Sequence, residues 1–293
     1  MSEIKKIAVT TDTNSGMMPH DNEAQGIFVL PMPFIVEGEA MLESVTLSRE
    51  EFYENLRSDK SISTSQPSVT EVTEFWSEIL KEYDEIVHIP TSSLLSNSYS
   101  TALALSKDFE GKVHVVDNRR ISEPLKQSAF DAAKLRDQGK TAEEIKAYLE
   151  ETGGDYGVYV SLDSMRYLKK GGRVSPAVAA IGSMLKLRPV LKLANGKLEK
   201  FATPRTMQKA ADIIKTAIAT DLKEKYKEYA DKGEMRICLI YGENAKDTDA
   251  LKAEIEKLFP SVPVLDCAPM SLSVACHVGP NVVAMGVVRV VND

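Results

Sequence analysis

Apolar and polar positions change period along the chain, and the changes mark its elements. Ile4 to Thr10 alternates weakly and then runs apolar, as a buried strand does, and ends in the polar loop Thr11-Asp12-Thr13-Asn14-Ser15-Gly16. Gly26 to Glu37 is β-rich, and Pro31 and Pro33 predict an edge or a bend there. Ser48 caps a short helix, Arg49 to Arg57. Val69 to Glu82 reads as a helix with Val72, Phe75, Trp76 and Ile79 on one face, which makes Trp76 a core residue. Glu85 to Pro90 and Lys112 to Asp117 are short strands. Helices follow them, to about Asp108 and from Ser122 to Gln138, and Thr141 with Glu144 opens another to Glu151. Strand, loop and helix alternate in this way up to Val160, which predicts a parallel α/β sheet.

The second half reads differently. Arg166 to Lys170 is a helical turn stopped by Gly171-Gly172, and a helix is expected from Pro176 to Leu185. Arg188–Ala194 and Lys197–Ala202 flank Asn195-Gly196, a strong hairpin signal. A long helix over Pro204 to Ala230, strands at Met235–Tyr241 and Val262–Leu265 around a helix, and a strand from Val282 to Val290 complete the pattern. The expected fold is a parallel α/β N-terminal domain, 1–162, followed by a mixed-sheet α/β domain, 163–293.

A chain of 293 residues can bury two cores. Ile7-Ala8-Val9 is too short for a signal-peptide core, and the apolar run Phe28 to Val36 is broken by prolines. A soluble, cytoplasmic protein is expected. Cys238, Cys267 and Cys276 are odd in number and lack metal-ligand spacing, so they read as reduced thiols, with no metal or cofactor implied. The net charge of −7 argues against nucleic acid as a partner. The charge is uneven, however. From Arg166 to Lys209 there are eleven Lys/Arg and one acid, Glu199, a basic face suited to docking.

Two hydroxyl clusters follow strands or precede helices. Ser61-Ile62-Ser63-Thr64-Ser65-Gln66-Pro67-Ser68 ends in a capping box, Ser68 to Glu71, and Pro67 keeps Gln66 extended. Ser92 to Ser98 is the second cluster. Hydroxyls and amides near helix starts favour an anion, and the loops at Thr11, Ser63 and Ser92 fall where ligands sit in parallel sheets. An ordinary capped serine-rich loop is the plain alternative. His277, before Val278-Gly279-Pro280, reads as an anion donor, a proton shuttle or a satisfied core histidine. An enzyme with Ser96 or Thr64 as nucleophile and His277 as base is a rival reading, although no Gly-x-Ser-x-Gly elbow is present.

Thr64-Ser65-Gln66-Pro67-Ser68, Ser92-Ser93-x-Leu95-Ser96-x-Ser98-Tyr99, Val116-Asp117, Leu168 to Arg173 and His277 to Pro280 fall in the order seen in the DegV family, which the chain resembles over its whole length. Thr11 to Ser15 is similar to that family's Thr-Asp-Ser-rich start. The resemblance implies a two-domain protein enclosing one long-chain fatty acid, a carrier rather than an enzyme, that presents the acid to a fatty acid kinase for acyl-phosphate formation in phospholipid synthesis. It implies that Thr64, Ser96, the amide of Asn97 and His277 meet the carboxylate. Arg205 and Arg173 would dock the kinase, and an anionic membrane surface would be a transient partner. Two segments depart from the family pattern. Asn97 replaces a glycine, and Asn118 to Leu125 is bulkier and more charged than the family's Ser- and Gly-rich continuation, which bears on the acyl tunnel.

Overall fold

The computed structural model describes residues 5–43, 45–58, 60–173, 187–243 and 248–292. The helix expected over 176–185 lies outside the described residues.

Three sheets organise the chain. The first is parallel and four-stranded, in the order β2-β1-β6-β7, from β1 (Ile7–Asp12), β2 (Ile27–Leu30), β6 (Glu85–Ile89) and β7 (Val113–Val115). Every residue of β1 and β6 is buried, as expected of strands covered on both faces. Pro31 and Met32 break the β-rich segment, and the chain enters a second, antiparallel sheet, β4-β3-β5: β3 (Pro33–Val36), β4 (Glu39–Leu42) and β5 (Ile62–Thr64). Pro33 stands at the first position of β3, where a missing donor is tolerated.

The third sheet is mixed and six-stranded, ordered β10-β9-β8-β13-β11-β12. Its strands are β8 (Tyr156–Leu162), β9 (Val190–Ala194), β10 (Lys197–Ala202), β11 (Met235–Tyr241), β12 (Ala268–Pro269) and β13 (Val282–Arg289). This corrects the division expected at residue 162. β8 pairs antiparallel with β13 and β9, so the change of sheet falls between Glu151 and Tyr156, before β8 rather than after it. Buried strands read alike in parallel and mixed sheets, and only the pairing tells them apart.

Helices cover these sheets: α1 (Arg49–Arg57), α2 (Val69–Ile79), α3 (Ser98–Leu105), α4 (Glu123–Asp137), α5 (Ala142–Glu151), α6 (Arg166–Gly171), α7 (Met207–Lys223), α8 (Lys227–Asp231), α9 (Thr248–Leu258) and α10 (Leu272–Val278). Ser48, Ser68 and Thr141 each close a complete capping box with the acid three residues on. Trp76 is fully buried, edge-on to His88 and Phe109. The long helix expected from Pro204 ends at Lys223; Tyr226, in the break, buries its ring and donates its hydroxyl to Tyr156 O at 2.6 Å. The strand expected at Val262–Leu265 is reduced to one bridge, Ile237 to Val264. The three cysteines are free.

The first and third sheets meet through specific groups. Tyr156 Oη accepts from Gly196 N at 2.9 Å and donates to Arg119 O at 2.8 Å, joining the hairpin tip to the segment after β7. Val291, after β13, packs on the first core and donates its N–H to Asp131 at 3.0 Å.

Candidate functional site

A cavity of about 260 Å³ lies between the sheets. Its floor is one face of the six-stranded sheet: Val158 and Val160 of β8, Leu193, Leu198, Ile240 and Ala284. Side chains alternate along a strand, so residues two apart share a face. The intervening residues, Tyr159 of β8 and Met285 of β13 among them, pack instead on α7 in a separate core. Leu168 of α6 and Met270 and Val274, beside and on α10, complete the apolar wall.

One end is polar, and three loops converge there. The first follows β1. Buried Asp12 accepts from Asn14 N at 3.0 Å, Thr91 N at 2.7 Å and Thr91 Oγ1 at 2.8 Å, and Asn14 Nδ2 donates to Thr91 Oγ1 at 2.8 Å. β1 and β6 are neighbours, so this network clamps the loops at their carboxyl ends. Burial pushes the Asp12 carboxyl up to about 6, with the Thr91 and Asn14 donors acting against the rise.

The second loop follows β6. Ser96 Oγ lies 2.6 Å from Ser98 Oγ and accepts from Ser98 N at 3.2 Å, while Ser93 Oγ donates to Asp117 at 2.6 Å. Asn97 is exposed at the start of α3 and makes no side-chain cap. The third loop contains β5, where alternation turns Ile62 and Thr64 inward and Ser63 outward. Ser65 and Gln66 follow along the cavity wall, and Gln66 Nε2 donates to Thr101 at 3.1 Å.

His277 reaches this end from α10, a helix capped by Ser271, whose side chain accepts from Val274 N. The sequence pattern of Ser271 to Pro280 did not reveal that helix. His277 Nε2 is 3.0 Å from Thr64 Oγ1. Nδ1 is buried with no partner among the described residues, and faces Gly171: a Cβ there would lie 2.1 Å from it. Burial, helped by the charge of Arg173, pushes His277 down to about 4, so the imidazole is neutral near pH 7.

Thr64, Ser96, Asn97, His277 and Arg173 therefore all line one cavity. Arg173 is exposed at its edge and donates to Gly171 O at 2.7 Å. Arg205 lies elsewhere, exposed one residue before Thr206, the cap of α7. In the segment Asn118 to Leu125, Arg120 does not enter the cavity. Its guanidinium is buried, donating to Thr152 O at 2.8 Å, Ser128 Oγ at 3.0 Å and Gly153 O at 3.4 Å. Ile121 and Ser122 line the wall instead. Asn14 of the loop after β1, Ser122 and Ser273 also line it, and no local signal in the sequence points to the floor. Among the described residues no group of three His, Cys, Asp or Glu is placed to hold a metal, and no helix is long and apolar enough to cross a membrane.

Fold and site together define an α/β protein that closes an apolar cavity between two sheets and lines its polar end with hydroxyls, an amide and a neutral imidazole, with Arg173 at the edge. The family model described as "Uncharacterised protein, DegV family" matches residues 6–290, and the chain belongs to the DegV family. A DegV domain-containing protein of Staphylococcus aureus (strain N315) is 30% identical over 214 residues, 73% of this chain and 77% of that protein. Two solved structures share the fold. A DegV family protein from Thermus thermophilus, described for its fatty acid binding, superposes with a TM-score of 0.84 at 26% identity, covering 97% of this chain and 100% of that one. DegV from Bacillus subtilis, described as a fatty acid binding protein, gives 0.82 at 26% identity over 97% and 99% of the two chains.

Proposed function

We propose that this protein holds one long-chain fatty acid in the cavity, with its carboxylate among Thr64, Ser96, the amide of Asn97 and His277, and presents that carboxylate to a separate fatty acid kinase. The observation that carries the reading is an apolar cavity that ends in hydroxyl, amide and imidazole groups, with the Arg173 cation at its edge. Each buried methylene contributes ~0.8 kcal/mol, so the tail sets affinity, while a hydrogen bond to a charged group adds only ~1.5–3 kcal/mol. The hydroxyls therefore orient the acid and spare it an unpaired burial.

Protonation at His277 fits this role. With Nε2–H donating to Thr64 Oγ1, the Thr64 hydroxyl is free to donate to a carboxylate. The opposite tautomer would turn lone pairs toward the anion.

The same pair invites the nucleophilic reading, Thr64 with His277 as base, and the surroundings argue against it. Among the described residues no group orients the imidazole through Nδ1, and a histidine pushed down to about 4 is a weak base near pH 7. Ser96 is bonded to Ser98 and, among the described residues, to no base. Binding and presentation, without chemistry of its own, is the function supported best, carried out in the cytoplasm where acyl phosphate is consumed.

Native mass spectrometry followed by denaturing extraction tests it. One fatty acid per chain is expected. Purified protein that is empty and takes up neither oleate nor palmitate would overturn the reading.

A further inference from the structure

Ser273 is the second residue of α10 and lines the cavity one helical turn before His277, on the same face of the helix. Four residues of helix rise ~6 Å. His277 faces Gly171, beside Arg173 at the cavity's edge, so Ser273, toward Met270 and Ile240, lies inward of it. Ser273 is 6% exposed, and among the described residues no group lies within hydrogen-bond distance of its hydroxyl. Other helical hydroxyls donate to the carbonyl four residues back: Ser77 to Thr73, Ser128 to Pro124, Thr216 to Asp212 and Thr220 to Thr216. Ser273 lacks that outlet, because the carbonyl four residues back belongs to Pro269, before the helix begins.

Two further polar groups adjoin it. The turn Thr13–Ser15 packs against α10 and carries Asn14, which is 4% exposed. Thr91 Oγ1 donates to Asp12, so it must accept from Asn14 Nδ2. That fixes the amide and leaves Asn14 Oδ1 as a buried acceptor with no donor among the described residues. Ser122, whose N–H donates to Asn14 O at 2.8 Å, also lines the cavity, and its hydroxyl caps nothing. It stands at φ +58°, a conformation unfavourable for any residue but glycine.

We propose that Ser273, Ser122 and Asn14 form a second polar subsite inside the acyl cavity, which receives a hydroxyl group carried on the fatty acid near its carboxyl end. The proposal rests on the carrier reading and deepens it by naming a substrate class, hydroxylated acyl chains. A methylene against Ser273 leaves that hydroxyl dry and unpaired, whereas a chain hydroxyl can accept from a serine and donate to Asn14 Oδ1. A keto oxygen has no proton for that acceptor. A second carboxylate is also the poorer match. None of the three groups is a cation, and the amides at the start of α10 are already engaged, Leu272 N with Glu43 and Val274 N with Ser271.

Titrations of the full-length protein compare palmitate with 3-, 5- and 16-hydroxypalmitate, in wild type and in Ser273→Ala. Wild type is expected to bind the 3- or the 5-hydroxy acid ~5-fold or more tightly than palmitate, the net effect of one buried hydrogen bond. The 16-hydroxy acid, with its hydroxyl at the far end, should gain nothing. In Ser273→Ala the preference should fall to near unity while palmitate affinity is kept or rises. A merely structural effect of the substitution would move all the acids alike and leave the preference intact, and that outcome overturns the proposal. Equal affinity of wild type for palmitate and both near-end hydroxy acids overturns it too, since solvent then satisfies Ser273. Protein that takes up none of the four acids instead removes the carrier reading, and this subsite with it.

Discussion

Thr64 Oγ1 and His277 Nε2 meet at 3.0 Å across 213 positions of sequence, the first on a three-stranded sheet and the second on a helix docked against it. The polar end of the cavity is thus built from two distant parts of the chain. Thr64→Ala and Ser96→Ala should each weaken fatty-acid binding by ~1–3 kcal/mol, the loss of one donor to a buried carboxylate. The double variant should lose more, without strict additivity, because both hydroxyls serve one group. Fluorescent fatty-acid titrations read this directly. Unchanged affinity in the double variant would place the carboxylate elsewhere.

His277 also makes a pH prediction. Its folded value is depressed to about 4, below the ordinary 6.5, so the unfolded chain takes up a proton first as pH falls. The stability this residue contributes is complete above pH 6.5 and is lost as pH falls from there toward 4, by at most ~3 kcal/mol. Melting temperatures of wild type and His277→Asn should therefore converge or cross over that window. Parallel curves from pH 7 to 4 would mean that the imidazole is solvated.

Glu43 acts in the opposite direction. It is buried, accepts from Leu272 N at 2.9 Å at the start of α10, and lies 3.7 Å from Arg49, which itself donates to Met270 O and Gly242 O. Tyr53 of α1, and Tyr241 and Glu243 at the end of β11, complete the charged and titratable surroundings of this cluster. Burial pushes the Glu43 carboxyl up to about 7, against the pull of Leu272 N–H and Arg49. The folded state holds the proton more tightly than the unfolded, so the stabilisation is full below pH 4.5 and lost as pH rises through about 7. Glu43→Gln should be more stable than wild type at pH 8, with the advantage vanishing by pH 5. Thermal melts at the two values check it, and an advantage larger at pH 5 would reverse the argument.

Arg205 supplies a docking prediction. A cation at a helix start gains nothing from the dipole, and Arg205 has no carboxylate partner among the described residues. Arg205→Ala should leave oleate affinity intact and reduce acyl-phosphate formation at limiting carrier. Raising salt should weaken the wild type in the same way, because exposed charges are screened within ~8–10 Å. Wild-type turnover by the variant would take Arg205 out of the interface.

Local chemistry explains what could be read in the sequence. The capping boxes at Ser68 and Thr141 set two helix starts to the residue, and Asn195-Gly196 marked the hairpin, because each signal acts within a few positions. Pairing is not local. Nothing in Tyr156 to Leu162 distinguishes a strand of the first sheet from one of the third, so the local pattern puts the boundary after β8 and the pairing puts the change of sheet before it. α10 is not legible in the sequence because seven residues are too few for a helical period to stand out, and Val274 and Val278 read equally well as strand. The hydroxyls and His277 were legible as candidates, but the floor they face, contributed by strands from both ends of the second half, was not.

The position of β13 has a consequence for how the protein is made. This strand is the last of the third sheet in sequence, yet it lies at the sheet's interior, between β8 and β11. Until Val282–Arg289 has left the ribosome, β8 and β11 lack the strand that joins them in the folded sheet. Ala284 on the cavity floor and His277 just ahead of it arrive together with that strand. Synthesis therefore proceeds with the cavity incomplete. If the cavity holds an acyl group as proposed, loading follows completion of this strand and is open to control by whatever supplies the fatty acid.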